Sequence, residues 1–123
     1  MDPDLMAEYA KLGMLSRRDS QFVDGLIVDF VVKCDKSTFE QHSALYKDED
    51  TNWSFPAKDF DGVEEFVLDA YMAVSYKRVS LLARLSSGKE VKIFNEEHAE
   101  RKKTYRAETE VEGKTFFVKM SFK

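Results

Sequence analysis

Beyond residue 77, large apolar side chains fall on alternate positions. Val79, Leu81, Ala83 and Leu85 interleave with Arg78, Ser80, Leu82 and Arg84, and the turn residues "SSGK" follow. A period of two sends successive side chains to opposite faces, which is the signature of a strand with one buried face. Val91 and Ile93 continue the pattern after the turn. Tyr105, Ala107, Thr109 and Val111 then alternate with Arg106, Glu108, Glu110 and Glu112. "EGK" reverses the chain into Phe116, Val118, Met120 and Phe122. Four antiparallel strands with a shared apolar face are predicted for this half.

The first half reads with a longer period. Leu5, Met6, Tyr9 and Leu12 predict a short helix over residues 3–12, an amino-terminal extension lying within residues 1–15. "SRRD" at 16–19 has the spacing of a capping box, and Phe22, Val23, Leu26, Ile27, Phe30, Val31 and Cys34 lie on one broad face of the helix that would follow. "STFE" at 37–40 repeats the capping spacing and opens a third helix to residue 47, which the acidic "KDED" ends. "TNWSF" alternates Trp53 and Phe55 before Pro56, as a short strand does. Asp61 would then cap a helix carrying Val63, Phe66, Val67, Ala70 and Tyr71. The expectation is one α+β domain over residues 1–123, helices first and a sheet second.

Composition bounds what such a domain can do. With 43% hydrophobic and 34% charged residues the chain is globular, and ten Phe imply an aromatic interior. A net charge of −4 works against nucleic acid and anionic membrane. In "ERKKTYR", alternation sends Tyr105 to the face opposite Lys102, Thr104 and Arg106, so base stacking and phosphate neutralisation would not share a surface. One cysteine, Cys34, among apolar neighbours reads as a core thiol in a reducing compartment. The start "MDPDLMAEYAKLG" is acidic where a secretion signal is basic, and no apolar run reaches membrane-spanning length. An intracellular protein, cytoplasmic or nuclear, is expected.

Two stretches carry a resemblance. "FEQHSALYKDEDTNWSF" is similar to a helix ending in Leu-Tyr before an acidic link and an aromatic strand, and "FDGVEEFV" is similar to the Gly-led helix that follows, in the nuclear transport factor two-like superfamily. The order of elements over residues 16–123 resembles that family in outline. The resemblance implies a cone: a curved sheet around a long helix, a pocket between them with Trp53, Phe55 and Tyr46 as its binding residues and Trp53 and His42 near its rim, and often a homodimer across the outer sheet face.

Enzymes of that superfamily place an acid or histidine with a tyrosine inside the cone, since proton transfer next to a carbonyl needs a base and a hydroxyl donor. The resemblance makes Tyr46, Tyr71 or Tyr105 the candidate donors and His42 the candidate base. As a plain helical residue His42 would simply be part-exposed. His98 lies in the polar connection "NEEHAERKK", and no H-x-x-x-H or H-x-E spacing points to zinc. The "KDED" stretch lacks an EF-hand's ligand pattern, and the isolated glycines make no phosphate loop. No cofactor or metal is expected.

Leu82, Phe94 and Phe117 are large apolar side chains on the nominally wet face of the strands, as a covered patch requires. A homodimer interface is one cover; a partner protein or the helix over 3–12 is another, and scattered exposure needs no cover. The function expected is a non-catalytic binding or interaction protein, homodimeric, taking a protein or peptide in an apolar groove; a small apolar ligand also fits. The alternative is an isomerase or dehydratase that uses a pocket His and Tyr.

Overall fold

The computed structural model describes residues 25–123, and these fold without a helix into eight antiparallel strands. They are β1 (Gly25–Cys34), β2 (Ser37–Tyr46), β3 (Glu49–Pro56), β4 (Val63–Met72), β5 (Lys77–Leu85), β6 (Glu90–Glu96), β7 (Thr104–Val111) and β8 (Lys114–Phe122). Two four-stranded sheets result, in the orders β2-β1-β8-β7 and β3-β4-β5-β6. The chain is thus a meander whose last strand returns to pair with the first, split into two layers between β2 and β3 and between β6 and β7. The α+β class, the cone and the nuclear transport factor two-like resemblance are overturned by this all-β, sandwich-like fold. The predicted helix over 3–12 and the first part of the one over 16–34 lie outside the described residues, and the rest of the latter is strand β1.

The period in the first half was ambiguous, and the structure takes the shorter one. In β1, Leu26, Val28, Phe30, Val32 and Cys34 are buried while Ile27, Asp29, Val31 and Lys33 face outward. Six apolar residues among 26, 27, 28, 30, 31 and 32 satisfy a helical stripe and a strand equally well. Four of them are β-branched, which favours the pleated strand.

Turn chemistry decides the next two segments. Cys34 pairs with Ser37 across Asp35-Lys36, with Asp35 at φ 54°, so "STFE" continues a hairpin where a helix cap was expected. Asp48, at φ 62°, likewise turns β2 toward β3. Gly62, at φ 81°, starts β4, in which Phe66, Leu68, Ala70 and Met72 alternate inward. The β5–β6 hairpin and the β7–β8 pair predicted for the second half are present, but they lie in different sheets and not in one four-stranded meander, because β6 does not pair with β7. Glu112-Gly113 (φ 50° and 80°) forms the tight turn before β8.

The space between the layers is filled. Phe30, Phe66, Phe116 and Phe122 are each at most 1% exposed. Phe39 joins Phe30 and Phe66 at ring distances of 6.0 and 5.3 Å, Phe55 joins Phe30 at 5.9 Å, and Phe60 meets Phe66 edge-on at 5.0 Å. These contacts tie the two sheets together across one flank.

Candidate functional site

That flank lies where β2 and β3 part. A two-residue turn, Lys47-Asp48, joins them, yet β2 pairs only with β1 and β3 only with β4. Asp48 spends its amide on the Met72 carbonyl at 2.6 Å. Two strand edges therefore border the same opening, each with one side free of ladder pairing among the described residues. An unpaired edge is a template for an added strand unless it is shielded.

Shielding is uneven along these edges. On β2, Glu40 and His42 are exposed, and charge deters pairing. β3 begins with Glu49 and Asp50 and ends at Pro56, but Asn52, Trp53 and Ser54 between them are uncharged and exposed. Trp53 sits opposite the buried Leu68, on the inward side of its strand, and still leaves 43% of its surface open because no described strand flanks β3 beyond it. Phe39 and Phe55 are half-buried beneath the opening.

At its wide end the opening deepens into a groove of about 340 Å³ lined by Thr38, Phe39, Pro56, Lys58, Asp59 and Phe60. A second groove of about 420 Å³ shares Asp59 and Phe60 and continues past Cys34 to Lys114. The Ser37 hydroxyl donates to the Asp59 carbonyl between them. Burial pushes the Cys34 thiol above its ordinary range, with the Asp35 charge adding to the effect, so it is a poor nucleophile there. Toward the narrow end, Ser43 and Thr51 are buried, and the Ser43 Oγ has no hydrogen-bond partner among the described residues.

The candidate acid–base residues are scattered. His42 stands on the outer face of its sheet, with Nδ1 2.5 Å from Asp29 Oδ1, and Lys123 Nζ lies 2.6 Å from the other carboxylate oxygen. Lys123 first and His42 second hold the Asp29 carboxyl below the usual carboxylate range. Tyr71 belongs to the outer face of the other sheet, opposite Arg78. Tyr105 turns inward against Phe122, and its hydroxyl accepts the Glu100 amide proton at 3.2 Å. Tyr46, 49% exposed, closes β2 beside the turn. Among the described residues no tyrosine hydroxyl meets His42.

The three candidate interface residues also separate. Phe117 is exposed on the outer face of β8, and Leu82 is half-buried on the outer face of β5. Phe94 is 4% exposed and belongs to the core. A bulge explains it: Leu81 pairs with Phe94 and Leu82 with Lys92, so Ile93 is the extra residue and the alternation shifts by one.

Two polar features escaped the sequence reading. Ser80 donates to Asn95 Oδ1 at 2.6 Å, Asn95 to Glu97 at 3.2 Å, and Tyr76 to Glu97 at 2.9 Å. Asn95 and Tyr76 keep the Glu97 carboxyl low, and Glu97 raises the Tyr76 phenol. Arg84 is paired with Glu65 and Glu90 on the same outer face. Both sets satisfy themselves and leave no free group for chemistry.

No group of three or more His, Cys, Asp or Glu suited to a metal occurs among the described residues, and no helix there is long and apolar enough to cross a membrane. Comparison with known protein families, with curated proteins and with solved structures finds no significant match to this chain.

Proposed function

We propose that this protein is a non-catalytic binding module that takes an extended peptide segment of a partner protein along the edge of β3 that no described strand pairs. The observation that carries the reading is Trp53, an exposed inward-facing tryptophan in the uncharged middle of an edge that no described strand pairs, two residues along the same face from Phe55, whose ring lies 6.0 Å from Phe39. A strand added there would satisfy the edge amides and carbonyls, while every second side chain would meet Trp53 and the aromatic groove. The ligand class is therefore an extended peptide with apolar residues at alternate positions. Lys58 and Asp59 at the wide end give it a polar rim. Among the described residues the buried polar side chains are Ser43, Thr51 and Ser80, none of them an acid or base, which favours binding over acid–base turnover. The reading places the protein inside the cell, where the unpaired Cys34 stays reduced.

The test is selection of random peptides on the immobilised full chain, followed by titration of recovered peptides against wild type and Trp53→Ala. Alternating apolar peptides that bind wild type and lose at least about tenfold in affinity to Trp53→Ala are expected, an aromatic anchor being worth more than about 1.4 kcal/mol. Binding indifferent to both Trp53→Ala and Phe55→Ala would overturn the proposal.

A further inference from the structure

The outer face of the sheet β2-β1-β8-β7 is a second surface that no other described element covers, and its side chains fall in rows set by the strand register. One row runs Thr38, Lys33, Phe117 and Glu108 from the β2 edge to the β7 edge. The next runs Glu40, Val31, Lys119 and Arg106. A third runs His42, Asp29, Ser121 and Thr104. The first two rows frame a shallow groove of about 630 Å³ whose centre is Phe117, 49% exposed.

We propose that this face docks against the same face of a second copy of the chain, about a twofold axis parallel to the strands between β1 and β8. Such an axis lays β2 over the partner's β7 and β1 over its β8, so each row meets its own reverse. Glu40 then faces Arg106, and Arg106 faces Glu40, in both halves of the interface. Lys33 comes over the ring of Phe117 beside Glu108, which offers a cation–π contact and an ion pair together. Val31 meets the aliphatic stem of Lys119. Asp29, already paired with His42 and Lys123, meets only the hydroxyl of Ser121.

The other in-plane axis, perpendicular to the strands through the middle row, would set Glu40, Lys119 and Arg106 each against itself. Three like-charge contacts per interface exclude it. Facing sheets cross at about 30°, and Glu40 and Arg106 stand about 7 Å from the axis, so the crossing offsets each pair by about 4 Å, within reach of both side chains. The face spans roughly 500 Å² per copy, near the low end for a specific interface, so the dimer should respond to concentration and salt. It uses no residue of the β3 edge and stands independently of peptide binding.

The experiment is sedimentation velocity on the full chain from micromolar to millimolar concentration at low and high salt, with Glu40→Arg and Arg106→Glu, both exposed positions. Wild type should shift from monomer to dimer with concentration, and each single swap should raise the dimer dissociation constant by at least about tenfold. An equimolar mixture of the two swapped chains should dimerise again, because the Arg at 40 of one meets the Glu at 106 of the other at both contacts. A wild type that is monomeric throughout, or a dimer that both swaps leave unchanged, would overturn the proposal. So would a mixture that stays monomeric, or a Glu40→Arg chain that pairs better with wild type than with Arg106→Glu. Mass is the only readout, so the outcome leaves the peptide reading to its own test.

Discussion

Truncating Phe30 to alanine probes the joint between the two sheets. The residue is 1% exposed at the middle of β1, and its ring lies 6.0 Å from Phe39 and 5.9 Å from Phe55 of the opposite sheet. The lost transfer free energy is about 1.5–3 kcal/mol. The ring leaves roughly 100 Å³, worth a further ~2.4 kcal/mol if the site does not collapse. Half-buried Phe39 and Phe55 can relax into part of that space, which brings the expected loss to about 3–5 kcal/mol. Urea unfolding followed by Trp53 fluorescence and far-ultraviolet circular dichroism would measure it, with wild-type and variant slopes compared. Ile27→Ala is the control. Ile27 is 46% exposed on the outer side of the same strand and should cost less than about 1 kcal/mol. A helix over residues 16–34 would put Ile27 and Phe30 on one face and make the losses similar. A Phe30→Ala loss below about 1 kcal/mol, or near-equal losses at the two positions, would refute the strand placement.

Ser43→Ala removes a buried hydroxyl with no partner among the described residues, so stability should rise by up to about 1 kcal/mol, read from the same urea curves. Glu112 holds φ 50° in a tight turn with Gly113, and Glu112→Asn should add about 0.5–1 kcal/mol, seen as a higher thermal midpoint. Asp29 has a lowered carboxyl pKa in the folded state, so its contribution is complete above the unfolded value near 4 and disappears as pH falls through the lower folded value. The stability gap between wild type and Asp29→Asn should thus stay constant at neutral pH and close below about pH 4. A gap that widens in acid would reverse the sign of that linkage.

The strands of the second half were legible because β5, β7 and β8 carry an unbroken alternation, as in Val79–Leu85 and Phe116–Phe122, while their division between two sheets was not. The first half was not, for three separable reasons. β1 is so apolar that both periods fit it, and only its β-branched content argues for a strand. β2 begins with "STFE", whose capping spacing is real but idle, since Asp35 and Lys36 had already turned the chain into a hairpin. β4 is preceded by Asp-Gly, which reads as a helix cap or a turn, and Gly62 at φ 81° settles it as a turn. The helix and the cone then fell together, since the resemblance rested on the same stretches. Trp53 and Phe55 were assigned to the pocket of a cone that is not there, with His42 beside Trp53 at its rim, and the structure puts the two aromatics on β3 and His42 on the outer face of the other sheet. Tyr46 was grouped with them but lies beside the turn. Phe94 misled through a one-residue bulge, which alternation alone does not reveal.

Hydrogen exchange of the backbone amides, with and without a peptide recovered by selection, tests the peptide-binding edge most directly. An added strand takes hydrogen bonds from β3 itself, so the account predicts new protection in residues 50–55, with the β4–β5 and β1–β8 ladders unchanged. Saturating peptide that leaves those amides exchanging as before, or that protects only the outer face around Phe117, would contradict it.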